Sequence, residues 1–295
     1  MLFLGIVGRG LHRAAYTLCT LFLFTKSDIK TTVISVVHVL RDFCCSSTRI
    51  STHPHSVFWI WIHLLQFDVS NQTLKPEEDL LNKSDRPLPS GRMTLEAALV
   101  LRWALVPLCL AVSWLYSTEV LWASVALVAL TIIYNELSAH GKGWIIRNLV
   151  NAAGFASFEV GATLVATHGH KDFDWIARSA VYASAGIFAS TIHTQDFKDV
   201  LGDSSVGRRA IPIVFPRIAR ITPLIGLLFW TISLTVVWVV DWGTSAVLFT
   251  IALNVGYRFL RLRTMHEDQV SFYWYNVWLS FAHALPGYCR MFYGA

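Results

Sequence analysis

Apolar residues run through this chain in long blocks rather than in the short alternations of a sheet. Windows of roughly 17 to 25 apolar residues are long enough to cross a hydrocarbon core. They fall near 31–48, 54–70, 95–115, 118–135, 146–167, 175–194, 219–240, 243–260 and 271–291. The pattern predicts an all-α, polytopic membrane bundle of about nine spans. The first block is the weakest, because His38, Arg41 and Asp42 interrupt it. Blocks three and four, and blocks seven and eight, are joined by so few residues that they must form antiparallel helical hairpins. Residues 1–30 read as an amphipathic or re-entrant segment leading into the first span, since no clear small-residue cleavage site follows its apolar core. Residues 31–295 then form a single transmembrane domain.

Composition agrees with the pattern. Of 295 residues, 54% are hydrophobic and 15% charged, and mean hydropathy is +0.50. A soluble domain carries about a quarter charged residues. The 12 Trp and 9 Tyr suit interfacial belts or cavity walls. The net charge of +5 is not a nucleic-acid signal. With the N-terminus inside, the basic residues gather on the inner side, from Lys26 and Lys30 through Lys75, Arg92, Arg147 and Arg220 to Arg263, and the outer loops keep little beyond Arg49 and Lys171. That asymmetry is the positive-inside rule, and it sets topology. The partners it implies are membrane lipid, not DNA or RNA. Nothing in the pattern specifies an oligomer. The five Cys form no CxxC pair with matching His, so they read as small apolar residues rather than a zinc site.

Two dense polar stretches interrupt the apolar blocks, and this topology puts both on the cytoplasmic face. "NQTLKPEEDLLNKSDRPLPSG", residues 71–91, follows the second block. "HTQDFKDVLGDSSVGRRAIPIVFP", residues 193–216, follows the sixth. Asp196, Asp199 and Asp203 are spaced to share one face of a helix. Three carboxylates on one face repel unless a cation joins them, and Mg2+ takes a few carboxylates together with phosphate oxygens and water. Lys198, Arg208 and Arg209 beside them suit a phosphate. The first stretch repeats the chemistry, with Glu78 and Asp79 for metal, Lys83, Arg86 and Arg92 for phosphate, and Asn71 and Gln72 adding amide groups. One such loop alone would read as a solvated surface. Two at matched positions, each flanked by Arg or Lys, read as a metal–diphosphate clamp.

These motifs resemble those of the UbiA superfamily of intramembrane prenyltransferases. In the first, Asn71, Gln72, Lys75 and Asp79 occupy the four key positions, followed by an Asn-Lys pair and a Pro-Leu-Pro-Ser-Gly turn. In the second, "QDFKDVLGD" supplies Asp196, Asp199 and Asp203. The likeness covers most of the chain and implies helices around a central cavity. The wording of both motifs is closest to the fungal branch, which includes membrane-bound sesquiterpene cyclases. The resemblance therefore implies Mg2+-dependent ionisation of a prenyl diphosphate, with farnesyl diphosphate favoured and a sesquiterpene hydrocarbon of the bergamotene type as product. The alternative is transfer of the prenyl group to an aromatic or other acceptor. It also implies the endoplasmic reticulum membrane. Asn71, Asp79, Asp196 and Asp199 carry over as catalytic residues.

The chain departs from the family at Lys75, where an Asp is usual. Lys75 could contact phosphate directly as a point charge. Alternatively, Pro76 opens a new helix, Lys75 falls outside it, and Glu78 replaces the missing ligand. Glu159 is an acid within a span, a functional candidate by default that could take a final proton or steer a cation, and could equally be paired to a neighbouring helix. His63, His193 and His283 pose the same choice. Candidates to shield a carbocation are Phe58, Trp59, Trp61, Phe155, Phe158, Tyr182, Phe188, Tyr273, Trp274 and Trp278. A carrier or channel would place its polar groups at mid-membrane; here they cluster at the membrane face.

Overall fold

The computed structural model describes residues 2–33, 36, 53–137, 143–167 and 173–293. The described residues are helical with connecting turns. Long helices run over Leu2–Thr25 (α1), His53–Gln72 (α2), Leu95–Trp114 (α4), Thr118–Asn135 (α5), Trp144–Ala166 (α6), Trp175–Thr191 (α7), Thr222–Val237 (α10), Trp242–Arg261 (α11) and Met265–Tyr293 (α12). Short helices Pro76–Asn82 (α3), Val200–Ser205 (α8) and Ile211–Val214 (α9) lie between them. Eight of the nine expected spans coincide with long helices. The other, 31–48, falls mostly outside the described residues. Leu95–Trp114, Thr118–Asn135 and Trp144–Ala166 are long and apolar enough to cross a membrane, and Thr222–Val237 is apolar but shorter.

Side-chain caps start several of these helices. Thr94, Ser117, Asp174 and Asp241 each accept a hydrogen bond from a backbone N–H in the first turn of α4, α5, α7 and α11. The helices pack mainly on their sequence neighbours, α4 on α5, α5 on α6, α6 on α7, α10 on α11 and α11 on α12, while α2 packs on α4, α5 and α6. Two interior Trp residues are both buried and hydrogen-bonded. Trp59 Nε1 donates to Ser113 Oγ at 2.9 Å, and Trp278 Nε1 donates to Thr231 Oγ1 at 3.0 Å. The close approach of α2 to α6 depends on Gly161, where an added Cβ would lie 2.1 Å from the Trp59 ring. The outside carries large apolar side chains such as Trp114, Trp122, Val236 and Trp242. An apolar exterior of this extent is a lipid-facing surface.

Candidate functional site

The two polar stretches meet at one end of the bundle. After α2 ends at Gln72, Pro76 opens α3, with Glu77, Glu78 and Asp79 in its first turn, where the helix dipole favours negative charge. Lys75 stands just outside α3 and donates to the Val206 carbonyl at 3.4 Å, at the C-terminal end of α8. The helix boundary is thus the one that Pro76 predicts, and Lys75 serves as a link between the two motifs. Asn82 is a second link. Its amide donates to the Asp199 carbonyl at 3.2 Å and accepts from the Gly202 N–H at 3.1 Å. A Cβ on Gly202 would lie 2.2 Å from the Asn82 amide nitrogen, so this clasp needs glycine.

The second motif is not the single helix that its spacing predicts. After α7 the chain tightens into a 3-10 turn, Ile192–Phe197, and Asp199 then precedes α8. Asp196, Asp199 and Asp203 therefore sit on different pieces of backbone, which relieves the repulsion of three carboxylates on one helix face, and each takes its own cation. Arg147 of α6 grips both oxygens of Asp196. Lys198 Nζ is 2.6 Å from Asp199, with Lys83 Nζ at 4.0 Å from the same oxygen. Arg208 donates to Asp203 at 2.8 Å and to both oxygens of Glu78 at 2.8 and 2.7 Å. Gly207, at φ 71°, makes that last geometry possible. It ends α8 in a left-handed turn, with the Arg208 N–H returning to the Asp203 carbonyl and the Gly207 N–H to Ser204.

The first motif is held in the same way. Arg86, buried, donates to both oxygens of Asp79 at 2.9 and 3.0 Å and to Asp28 at 3.2 Å. Gln72 donates to the Phe24 carbonyl of α1 at 2.9 Å, while its own amide oxygen is buried without a hydrogen-bond partner among the described residues. Burial raises Glu78 and Asp203 above the usual carboxylate range, and the shared Arg208 only partly offsets it. For Asp199 the balance reverses, since the charges of Lys83 and Lys198 outweigh burial and hold it low. Asp28 is likewise held at about 2, with Lys83 and Arg86 outweighing burial.

Between the motifs lies a cavity of about 1050 Å3 of empty space, part of it open to solvent. Asn71, Gln72, Lys75, Glu78, Asp79, Lys83, Arg86, Asp196, Asp199, Asp203 and Arg208 all line it, so most of the candidate site is brought together. Its depth is apolar and aromatic, with Leu64, Phe67, Tyr134, Phe155 and Phe158. A small extension continues past Phe67, Tyr134 and Phe158 to His63 and Leu127.

Several candidates stand outside this cavity. Arg209 is exposed and does not line the cavity; the turn at Gly207 sends Arg208 inward and its neighbour out. Lys198 lies beyond Asp199, lining a neighbouring chamber instead. Glu159 is fully buried but does not line the cavity. It accepts a hydrogen bond from Ser184 of α7 and lies 3.5 Å from His283 Nε2 of α12. Of the aromatic candidates, only Phe155 and Phe158 line the cavity. Phe58, Tyr182, Tyr273 and Trp274 are exposed, and Trp59, Phe188 and Trp278 are buried in the core. His193 instead bonds Thr222 at 2.7 Å.

The structure adds Asp28, Asp68, Tyr134, Arg147 and Gln195 to the lining. Of these, Asp68 had a legible signal, as a carboxyl inside an apolar block one helical turn before Asn71.

Among the described residues, no three carboxylates stand as a ready-made metal cage. Most of them are instead paired with Arg or Lys. The donor set nonetheless fits a hard divalent cation that arrives with its own phosphate oxygens. Seven carboxyl side chains face five Lys or Arg in the lining, leaving a negative surplus, and Asp203 Oδ2 is buried with no hydrogen-bond partner among the described residues. Mg2+ normally takes only one or two carboxylates beside phosphate and water.

Helices of this order around a polar-mouthed, aromatic cavity, with two acidic motifs facing each other, define an intramembrane prenyltransferase-type protein. The chain belongs to the UbiA prenyltransferase family, whose model matches residues 48–279. It is 32% identical over 276 residues to fumagillin beta-trans-bergamotene synthase of Aspergillus fumigatus, covering 92% of this chain and 93% of that protein. It is 29% identical over 268 residues to a diterpene cyclase of Hericium erinaceus, covering 86% and 83%. The fold matches a UbiA homolog from Archaeoglobus fulgidus bound to GPP and Mg2+, with a TM-score of 0.64 at 11% identity, over 90% of this chain and 99% of that one.

Proposed function

We propose that this protein is a Mg2+-dependent membrane terpene cyclase that ionises farnesyl diphosphate and cyclises it to a sesquiterpene hydrocarbon of the bergamotene type. It would act in the endoplasmic reticulum membrane, its mouth toward the cytoplasm. One observation carries the reading: most of the carboxylates, Lys and Arg of both motifs converge on a single cavity whose depth is aromatic. The relationship to two terpene-forming enzymes supports cyclisation over transfer.

The polar mouth takes the diphosphate and the apolar depth takes the prenyl chain. Ionisation breaks the allylic C–O bond, and the electron pair leaves with the diphosphate. Lys75, Lys83 and Arg208 line the region where that charge gathers, and fixed cations there lower the barrier. Glu78, Asp79, Asp196, Asp199 and Asp203 are the side chains to hold Mg2+, which when bound neutralises charge on the leaving group. Phe67, Tyr134, Phe155 and Phe158 face the allylic cation; they exclude water, and their ring faces stabilise positive charge without bonding to it. Loss of one proton from the cyclised cation gives the neutral hydrocarbon.

The test is incubation of the purified protein with Mg2+ and farnesyl diphosphate alone, followed by gas chromatography–mass spectrometry of a hexane extract. A cyclic hydrocarbon is expected. A product that forms only when an aromatic acid is added would replace cyclisation by transfer. No consumption of prenyl diphosphates of any chain length would overturn both.

A further inference from the structure

Beside the main cavity lies a second chamber of opposite sign. Five Lys or Arg side chains line it against two Asp. Three of its cations, Lys30, Lys83 and Lys198, converge on one place. Lys30 Nζ and Lys198 Nζ each lie 5.6 Å from the centre of the Phe272 ring, and Lys30 Nζ lies 4.8 Å from that of Tyr273. Phe272 is buried, at 3% exposure, and the Lys198 side chain is only 9% exposed. This is therefore a walled floor rather than a solvated face. Like charges held together in such a setting repel, and the Asp199 carboxylate beside Lys198 and Lys83 is the only acid that reaches this trio within 4.0 Å among the described residues. Asp28, Lys83, Arg86 and Gln195 line both chambers, so the two are continuous.

We propose that this chamber is an anion subsite for a phosphate-bearing ligand, and that its ligand is the inorganic diphosphate released by the main cavity. Ammonium groups are compact point charges suited to a small, multiply charged phosphate. The charge balance separates the two chambers by their need for metal. The main cavity is lined by more acids than bases and takes diphosphate only with a divalent cation. The second chamber is lined by more bases than acids and takes diphosphate without one. Lys83, shared by both, is the step between them, so the leaving group moves sideways into the lysines instead of recombining with the allylic cation. The identity of the ligand rests on the function proposed above; the metal-free anion subsite does not.

The test is isothermal titration of the detergent-purified full chain with inorganic diphosphate, once in EDTA and once with Mg2+. Wild type should bind diphosphate in EDTA. Lys30→Glu, which changes the second chamber and does not line the main cavity, should weaken that binding about ten-fold or more and leave the Mg2+-dependent binding in place. The retained Mg2+-dependent binding is the control for folding, and Lys30→Met should give a smaller loss in the same direction. Absence of metal-free binding in wild type, or metal-free binding untouched by Lys30→Glu, would overturn the subsite. Repeating the EDTA titration in nanodiscs separates the source of the phosphate. Equal binding in neutral and anionic lipid supports the released diphosphate, whereas loss in anionic lipid alone assigns the chamber to a lipid headgroup and overturns the exit role. Because no turnover is needed, a positive titration with no consumption of any prenyl diphosphate would sink the enzymatic reading and leave the subsite standing. Hydrocarbon formation without metal-free binding would do the reverse.

Discussion

The mouth of the bundle and the interior of its second half both bury carboxyl groups, and they treat them differently. At the mouth, Asp79, Asp196, Asp199, Asp203 and Glu78 each pair directly with Lys or Arg on the wall of a cavity. Inside, Glu159 takes a hydroxyl and an imidazole. Ser184 Oγ lies 2.9 Å from His283 Nε2, and His283 Nδ1 donates to the Leu279 carbonyl at 2.8 Å. The Phe155–Phe188 pair, stacked at 3.6 Å, lies beside this knot, and Phe155 is the member that lines the cavity. An acid within the membrane is therefore not a reacting group by position alone. The mouth sets its ion pairs along the wall of a cavity, while the knot ties one oxygen of Glu159 to side chains of α7 and α12 and so joins three helices.

That contrast can be broken by mutation. The largest effect belongs to the mouth: Asp199→Ala, and equally Asp79→Ala, should cut Mg2+-dependent diphosphate release about 100-fold or more, read by a pyrophosphate assay. Turnover retained in either would end the assignment of the mouth. Next is Glu159→Ala, which strands Ser184 and His283 and should cost about 1–3 kcal/mol of stability in a thermal melt, with turnover per folded molecule changed only a few-fold. A hundred-fold rate loss at an unchanged midpoint would move Glu159 into the chemistry. Gly202→Ala should push the Asn82 amide off its two backbone partners. Losing such bonds costs on the order of 1 kcal/mol, seen as a several-fold rise in KM for the diphosphate. An unchanged KM would show that the clasp is dispensable. The smallest effect lies outside both regions. Asp241, capping α11 and accepting from Tyr288, is held at about 2, below its ordinary 3.8. Its contribution is present above 3.8 and is lost as pH falls through about 2, so the small gap in thermal midpoint between wild type and Asp241→Ala should close over that interval.

Helix positions were legible because apolar length is the dominant signal in a membrane protein. Both motifs were legible because they put opposite charges close together in sequence. What stayed hidden is pairing across distance. Arg147 looked like a topology marker until α6 brought it to Asp196. Asp28 is far from either motif in sequence, and only the packing of the α1 end against Arg86 makes it part of the mouth. The regular spacing of Asp196, Asp199 and Asp203 misled, because a helical period says nothing about a chain that breaks between them. Aromatic content misled for a related reason. Phe155 and Phe158 face inward and Tyr182 faces out, and composition carries no direction.

Arg208 reaches Glu78 across 130 residues of chain. On a ribosome working at roughly 5–20 residues per second, Glu78 is made about 7–26 s before its partner. During that interval four more apolar blocks must enter the bilayer while Glu78 waits without Arg208. The mouth therefore cannot close until the chain has passed α8, and a chain that stops short of α8 has the first motif and the helices α4 to α7 but no mouth.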